Sequence, residues 1–244
     1  MTSYPDYLTQ LARLLADPVY RGQGVVQGKG QPVLLIPGFL AGDWSLLRMA
    51  GWLNRLGYRS YFSGIDWNVD CPNTTATKLA WRLEQLTTES VGPLAVIGHS
   101  LGGLLARFLG TNFPVQVCHV IALGSPLEVS TPEHVHPMVH AAFRLLTPLR
   151  QRGNPAFRWC GSPSCTCRFA KTAFARLPSG VTLTSIFSKQ DAIVDGQASV
   201  DPEGENIAVS GGHFGLVVNR EVYRAVASTL AIRFAEVSPA SASL

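Results

Sequence analysis

Six apolar runs recur along the chain, each bounded by glycine, proline or polar residues that favour turns. They lie at residues 33–36, 57–65, 93–97, 117–126, 180–191 and 205–211. The runs are mostly continuous rather than alternating, which is typical of strands whose two faces are both covered by helices. The pattern therefore predicts a mostly parallel sheet of about six strands.

Apolar residues spaced three and four positions apart fill the segments between these runs. This helical periodicity covers residues 44–56, 75–88, 101–111 and 214–236. Strands that alternate with helices indicate βαβ units, so the sequence predicts an α/β fold with a doubly wound sheet and helices on both faces. We expect one such domain over residues 1–244, with residues 237–244 as a disordered tail.

The first residues predict a short amphipathic helix and no targeting segment. Its apolar face is expected to carry Leu8, Leu11, Leu14 and Leu15. A secretory signal needs a basic start followed by an apolar run, and a membrane span needs about 18 continuous apolar residues; the sequence has neither. We therefore expect a cytoplasmic protein without a transmembrane segment, which leaves room only for transient contact with lipid surfaces.

One long region breaks the alternation of strands and helices. The residues between Gly124 and Gly180 contain no convincing strand and are too many for an ordinary connection. Residues 134–153 form a helical pattern that is apolar around much of its circumference. We interpret residues 127–175 as a small helical cap over the edge where the strands end. Met138 and Phe143 of this cap, with Leu40 and Trp44, are the predicted lining of a hydrophobic substrate pocket.

The charged residues are few and scattered. They make up 15% of the chain, against 46% hydrophobic residues, and the net charge is +4. Because no block of like charge is present, the composition argues against a nucleic-acid-binding protein. It leaves the oligomeric state open.

Five cysteines are present, and three of them crowd into one short stretch. They are Cys71, Cys118, Cys160, Cys165 and Cys167. An odd number without a signal peptide argues against an extracellular disulfide framework. The spacing of the crowded three is poor for zinc, so no metal and no cofactor are expected. A local disulfide and plain thiols both remain open.

Residues 98–102 read Gly-His-Ser-Leu-Gly, which matches the G-x-S-x-G pattern of a nucleophile elbow. The pattern follows an apolar strand and begins a helix, which is the setting that such an elbow requires. The flanking glycines leave room for a strained turn, and the helix amino terminus favours a developing negative charge. The alternative is a serine that caps the helix after a glycine turn. We predict that Ser100 is a nucleophile.

A nucleophilic serine needs a histidine base and a carboxylate that orients it, in the chain order serine, acid, histidine for this strand pattern. Of the six histidines, His213 follows the last predicted strand, after two glycines and before a helix. His99 lies inside the elbow, and its side chain is expected to point away from the mouth of the site. For the acid, Asp191 is preferred because it is closest to the end of the fifth strand, and Asp195 remains the alternative.

The tetrahedral intermediate of acyl transfer needs two hydrogen-bond donors for its oxyanion. One is expected to be the amide of Leu101, at the start of the helix that follows the serine. The other is expected from the loop after the first strand, where the amide of Phe39 follows Pro37 and Gly38. An ordinary turn is the alternative interpretation of that loop.

With these motifs in place, the sequence resembles the α/β-hydrolase superfamily, and within it bacterial triacylglycerol-lipase-like and carboxylesterase-like members. The similar stretches are LLIPGF, VIGHSLGGLLAR, VIALGSPL, SIFSKQDAIVD and SGGHFGLVVNREVYRAVASTLA. The resemblance implies hydrolysis of a carboxylic ester, with Ser100, Asp191 and His213 as triad and Phe39 and Leu101 as oxyanion donors. The cap has no counterpart that we can name, and antiparallel opening strands are not evident.

The sequence thus predicts an esterase or lipase of lipid metabolism that acts on a small-molecule or lipid ester through an acyl-enzyme. An acyltransferase with the same triad, or hydrolysis of an amide, thioester or lactone, remains open. A protein of a different functional class, which binds a ligand in the same pocket without catalysis, is the alternative. The acyl chain length and the physiological substrate are not determined.

Overall fold

The computed structural model describes residues 3–90, 92–128, 135–150 and 167–237. Six strands form the sheet: β1 Pro32–Ile36, β2 Arg59–Phe62, β3 Leu94–His99, β4 Val117–Leu123, β5 Thr182–Ser188 and β6 Glu205–Val209. The α-helices of the described chain are α1 Ser3–Ala16, α2 Leu47–Arg55, α3 Pro72–Glu89, α4 Leu101–Asn112, α5 Pro137–Arg150, α6 Arg168–Thr172 and α7 Arg220–Val237. Short 3-10 helices span Pro18–Arg21, Asp43–Leu46 and His213–Val218.

All neighbouring strands pair in parallel, in the spatial order β2-β1-β3-β4-β5-β6. The chain runs outward from β1 to β2 and then returns to place β3 on the other side of β1. Ligands of doubly wound sheets bind at such a reversal, outside the carboxyl ends of the strands. The predicted α/β fold with a six-stranded parallel sheet is therefore confirmed.

Successive residues of each central strand enter two different hydrophobic cores. On β1, Val33 and Leu35 pack into a core with Trp52 of α2 and Tyr223 of α7. Their neighbours in the same strand, Leu34 and Ile36, face a second core with residues of α3 and α4. Burial of each large apolar side chain stabilises the fold by about 1.5–3 kcal/mol. Helices on both faces explain why the strand sequences are continuously apolar.

The predicted apolar face of α1 was wrong at two positions. Leu14 is fully buried, but Leu8 and Leu15 are 54% and 42% exposed. The buried face instead contains Gln10, a polar residue that is only 4% exposed. Periodicity alone could not find this face, because a buried glutamine is recognised only through the partners that satisfy it.

The predicted last helix, residues 214–236, is divided at Asn219. That residue is extended, with φ of −91° and ψ of 126°. Its side-chain oxygen accepts a hydrogen bond from the Glu221 amide at 2.7 Å, so it caps the amino terminus of α7. The residues before it, His213–Val218, form a 3-10 helix instead. This break lets the histidine leave the axis of α7 and reach the end of the sheet.

The described part of the predicted cap is attached to the loop that follows β5. Val135 pairs with Val194 in an isolated antiparallel bridge, and the His136 amide donates to the Ile193 carbonyl oxygen at 2.8 Å. Much of the predicted cap, and residues 238–244 of the tail predicted at 237–244, lie outside the described residues, whereas Val237 is the last residue of α7. Across the described ranges, no helix is both long and apolar enough to cross a membrane.

Candidate active site

Ser100 stands at a sharp turn between β3 and α4, and its backbone is strained. Its φ of 54° and ψ of −121° lie outside the regions that side-chain-bearing residues favour, a conformation that costs about 1–3 kcal/mol. Its amide donates to the Leu123 carbonyl oxygen at 2.8 Å. Within the described structure its hydroxyl caps no amide of α4. Helix capping therefore does not explain why a serine occupies this position. Backbone strain of this kind is found at functional turns.

The two glycines of the Gly-x-Ser-x-Gly pattern are required by close backbone contacts. A Cβ atom at Gly98 would overlap the carbonyl oxygen of Gly102. One at Gly102 would overlap the carbonyl oxygen of Ile36 in β1. The strand, the turn and α4 thus approach more closely than a side chain allows. The glycine spacing is a steric requirement of this elbow.

His213 and Asp191 meet at the carboxyl end of the sheet. His213 follows β6, and Asp191 lies in the turn after β5. Nδ1 of His213 and Oδ2 of Asp191 are 2.6 Å apart, and both side chains are almost fully buried. Because a carboxylate can only accept, the neutral ring carries its hydrogen on Nδ1. Nε2 is then the basic atom of the ring.

The two carboxyl groups considered for the triad have different partners. The second oxygen of Asp191, Oδ1, accepts the amides of Ile193 at 2.8 Å and Val194 at 3.0 Å. Asp195 Oδ1 accepts the amide of Gln197 at 3.0 Å, as a turn residue does. The structure thus brings Asp191 to His213 and orients its carboxylate through two backbone amides.

The end of β4 joins the serine to the histidine–carboxylate pair. The Ser100 amide bonds to Leu123, and the next residue, Gly124, has a positive φ of 55°. A Cβ atom at Gly124 would lie 3.2 Å from Asp191 Oδ2 and 3.4 Å from His213 Nδ1. Two consecutive residues, Leu123 and Gly124, therefore contact the elbow and the Asp191–His213 pair.

His99 is a site residue whose part the sequence did not indicate. Its ring is buried and lies 4.8 Å from the ring of His213, centroid to centroid. Its Nε2 is 3.1 Å from the His213 carbonyl oxygen, and since that oxygen only accepts, Nε2 carries the hydrogen. Burial first, and then the neighbouring His213, lower the pKa of His99 from 6.5 to about 3. His99 therefore stays neutral beside His213.

Three consecutive backbone amides before His213 are held by side chains from three different elements. We call residues 210–213 the histidine loop. The acceptors are Glu221 Oε2 for Ser210 at 2.9 Å, Gln190 Oε1 for Gly211 at 2.9 Å, and Asp6 Oδ2 for Gly212 at 2.8 Å. The Ser210–Glu221 bonds lower the pKa of the Glu221 carboxyl group. The loop is thus fixed by residues far apart in sequence.

The loop after β1 packs directly against the elbow. A Cβ atom at Gly38 would lie 3.1 Å from the Cβ atom of Ser100. Leu40 has a positive φ of 63°, and its amide donates to the Asn68 carbonyl oxygen at 3.0 Å. The Asn68 side chain donates to the Pro37 carbonyl oxygen at 2.9 Å. Asn68, which the sequence gave no reason to single out, therefore holds both ends of this loop.

The predicted pocket residues are largely at the surface. Leu40, Trp44 and Met138 are 40%, 64% and 73% exposed, and the side chain of Phe143 lies outside the described residues. Their part in a substrate pocket stays a prediction. A groove of about 350 Å³ lies elsewhere, between α3, α4 and α6, and no member of the predicted triad lines it. We therefore do not connect that groove with the chemistry of Ser100.

Among the described residues outside the proposed triad, His119 and Cys167 have structural partners. His119 is buried in β4, with its two ring nitrogens 2.6 Å and 3.2 Å from the hydroxyls of Thr182 and Thr184. Cys167 Sγ accepts the Ala170 amide at the start of α6, whereas Cys160 and Cys165 lie outside the described residues. No group of three or more possible metal-binding side chains occurs in the part of the chain that the structure describes.

Comparison with known proteins identifies the fold. No protein-family profile and no curated protein sequence matches the chain. A carboxylesterase of Nitrososphaera gargenis is similar in structure, with a TM-score of 0.60, 15% identity, and coverage of 87% of this chain and 94% of that one. A monoacylglycerol lipase of Paleococcus ferrophilus gives a TM-score of 0.57, 16% identity, and coverage of 86% and 97%. The thioesterase domain of the curacin biosynthetic pathway gives 0.51, 17%, and coverage of 84% and 93%. The chain therefore has the α/β-hydrolase fold.

Proposed function

We propose that the protein is a serine hydrolase that cleaves carboxylic esters, with Ser100 as nucleophile, His213 as base and Asp191 as the orienting acid. The proposal is carried by the buried 2.6 Å contact between Asp191 and His213, in a sheet that also holds a serine in a strained elbow. Each residue follows a different strand of one parallel sheet, in the chain order that a nucleophile elbow requires. Esterases and lipases among the structures of similar fold support the same class of reaction.

The proposed reaction proceeds in two acyl-transfer steps. Ser100 Oγ attacks the ester carbonyl carbon while Nε2 of His213 takes the hydroxyl proton. The tetrahedral intermediate collapses, the C–O bond breaks, and His213 gives the proton to the departing alcohol. Water then attacks the acyl-serine as His213 takes its proton, and the carboxylic acid leaves as Ser100 regains its hydrogen. Asp191 stabilises the imidazolium in both steps.

The oxyanion donors are proposed to be the amides of Leu101 and Phe39. Leu101 is the first residue of α4, so its amide points out of the helix start and the helix dipole adds to the attraction. Phe39 lies between Gly38, which packs on the Cβ atom of Ser100, and Leu40, whose amide is bonded to Asn68. The position of Phe39 directly after Gly38, beside the elbow, supports its amide as the second donor.

The substrate is proposed to carry a hydrophobic acyl or alcohol part. Leu40 and Trp44 follow the oxyanion loop, and Met138 lies at the start of α5, which is attached to the loop that carries Asp191. All three have exposed apolar side chains, which are available for contact with a substrate. With Phe143 they form the proposed contact surface for an acyl chain, and a lipid ester is one such substrate.

The proposal is tested with p-nitrophenyl esters and with a fluorophosphonate probe that labels activated serines. The protein should hydrolyse the esters and take up the probe, and Ser100→Ala should abolish labelling and lower kcat by at least about 10⁴-fold. A folded Ser100→Ala protein that retains turnover would refute the assignment. Esters of increasing chain length test the hydrophobic contact, and added alcohol separates hydrolysis from acyl transfer by its products.

A further inference from the structure

We propose that Asp6, on the helix that precedes the sheet, is a positioning residue for the His213 imidazole. The inference rests on the proposed hydrolase function and adds α1 to the machinery of that site. It begins from a single long-range contact: Asp6 Oδ2 accepts the Gly212 amide at 2.8 Å, although the two residues are 206 positions apart. Gly212 is the residue directly before His213.

The backbone around His213 is held on both sides of the ring. Asp6 holds the amide of the preceding residue, and His99 holds the carbonyl oxygen of His213 itself. The other two side chains that accept amides of the histidine loop, Gln190 and Glu221, act one and two residues earlier. Of the three side chains that accept amides of this loop, Asp6 thus acts nearest to the imidazole along the chain.

Three glycines allow α1 to come this close. A Cβ atom at Gly212 would lie 3.1 Å from Asp6 Oδ2, and one at Gly215 would lie 2.5 Å from the same oxygen. Gly211, with a φ of 100°, would place a Cβ atom 2.7 Å from Gln10 Nε2. A side chain at Gly215 or Gly211 would displace the Asp6 carboxylate or the Gln10 amide from its present position. The glycine-rich sequence around His213 is therefore fitted to the polar side of α1.

Asp6 itself is oriented by its own helix. The Gln10 side chain donates to Asp6 Oδ1 at 3.3 Å, four residues along α1, and Gln10 is almost fully buried. Asp6 lies in the first turn of α1, where the helix dipole stabilises a negative charge. An ionised carboxylate makes a stronger hydrogen bond to an amide than a neutral acceptor does. The pair Asp6–Gln10 therefore supplies a fixed, charged acceptor for the Gly212 amide.

Loss of the hydrogen bond between Asp6 and the Gly212 amide should displace the His213 imidazole without removing it. A shift of about 1 Å at a reacting group lowers the rate by up to about 10²-fold. The predicted pocket residues Leu40, Trp44 and Met138 lie outside α1. We therefore expect Asp6→Ala to lower kcat by about 10- to 100-fold with little change in KM. Because a loosened Asp191–His213 contact stabilises the imidazolium less, the acid limb of kcat/KM should move to lower pH.

The experiment compares Asp6→Ala and Asp6→Asn with the control Arg13→Ala, which removes an exposed charge from the same helix. Each variant is assayed for kcat, KM and the pH profile with p-nitrophenyl butyrate, for the rate of fluorophosphonate labelling, and for its melting temperature. Asp6→Asn keeps an acceptor oxygen without the charge, so it should fall between Asp6→Ala and the wild type. Arg13→Ala should match the wild type in all kinetic readouts.

The outcomes separate this inference from the proposed function. A wild-type protein that neither hydrolyses esters nor labels at Ser100 overturns the function itself. An active wild type, with an Asp6→Ala variant that keeps its kcat and its acid limb, overturns only the positioning role. If Asp6→Ala does not fold, Asp6→Asn decides: an unchanged kcat and acid limb in that variant refutes the proposal, and a decrease of about threefold with a shifted limb supports it.

Discussion

At the elbow, close contacts among β1, β3 and α4 hold Ser100 in a strained backbone conformation. The histidine loop is held instead by side chains from α1, α7 and the turn after β5. The elbow needs two glycines that leave no room for a Cβ atom. The histidine loop needs Glu221, Gln190 and Asp6, which lie in three separate parts of the chain. The elbow thus depends on close backbone contacts that exclude side chains, and the histidine loop depends on directed hydrogen bonds.

This difference predicts different responses to mutation. Steric exclusion fails abruptly, because an added methyl group meets backbone that cannot move and destabilises the whole packed unit. A set of hydrogen bonds fails gradually, since each lost bond contributes about 0.5–1.5 kcal/mol, or more when the acceptor is charged. Substitutions in the elbow should therefore mainly lower the stability of the fold, and substitutions in the histidine loop should mainly lower the catalytic rate.

The largest rate effect is expected where the histidine loop meets its carboxylate. Asp191→Asn should lower kcat by about 10⁴-fold, because an amide at this position favours the wrong imidazole tautomer. The neighbouring Asp195→Asn is the matched control, since its carboxylate caps a turn at Gln197, and it should remain within about threefold of the wild type. Steady-state kinetics on both folded variants measures the contrast. Equal losses in the two would show that the acid was assigned to the wrong residue.

The largest stability effect is expected at the elbow. Gly102→Ala should destabilise the fold by about 3 kcal/mol or more, because its Cβ atom would overlap the backbone of Ile36. Gly51→Ala in α2 is the matched control: its Cβ atom would meet only the Arg55 guanidinium, at 3.7 Å, so it should stabilise by about 0.5–1 kcal/mol. Urea unfolding measures both variants. A Gly102→Ala protein as stable as the wild type would contradict steric exclusion at the elbow.

The same difference explains what the sequence could predict. Five contiguous residues specify the elbow, and strand order specifies where His213 and Asp191 meet, so both were accessible to pattern analysis. The contact between Asp6 and Gly212 spans almost the whole chain and leaves no local signal. Helical periodicity likewise placed Leu8 and Leu15 on the buried face of α1, because it cannot recognise Gln10 as a buried partner of the loop. The break at Asn219 arises from a capping bond that competes with an otherwise helical pattern.

A buried neutral histidine, His99, belongs to the elbow and contacts the histidine loop at His213. The stability of the protein at acid pH therefore tests both regions. Burial lowers the pKa of both His99 and His119 from 6.5 to about 3. Their contribution to stability is therefore complete above pH 6.5 and is lost as the pH falls toward 3, because the unfolded chain binds these protons first. Each histidine should make the unfolding free energy fall by about 1.4 kcal/mol per pH unit in this window.

Single substitutions should separate the two histidines. His99→Gln and His119→Gln should each reduce the pH slope of the unfolding free energy between pH 6 and 4 by about 1.4 kcal/mol per pH unit. Only His99→Gln should also lower kcat, because only His99 contacts His213. Chemical denaturation across this pH range measures the slopes. An unchanged slope in both variants would mean that these rings are not held neutral in the fold.

The smallest effect is expected at the start of the histidine loop. Glu221 accepts both the amide and the hydroxyl of Ser210, at 2.9 Å and 2.8 Å, and Glu221→Gln keeps only one accepting oxygen. Because Ser210 is three residues from His213, kcat should fall by no more than about threefold, which is less than for Asp6→Ala. Glu236→Gln, an exposed change on the same helix, should leave kcat unaltered. If Glu221→Gln instead lost as much activity as Asp6→Ala, the loop would respond as one rigid unit, and distance from the imidazole along the chain would not rank its anchors.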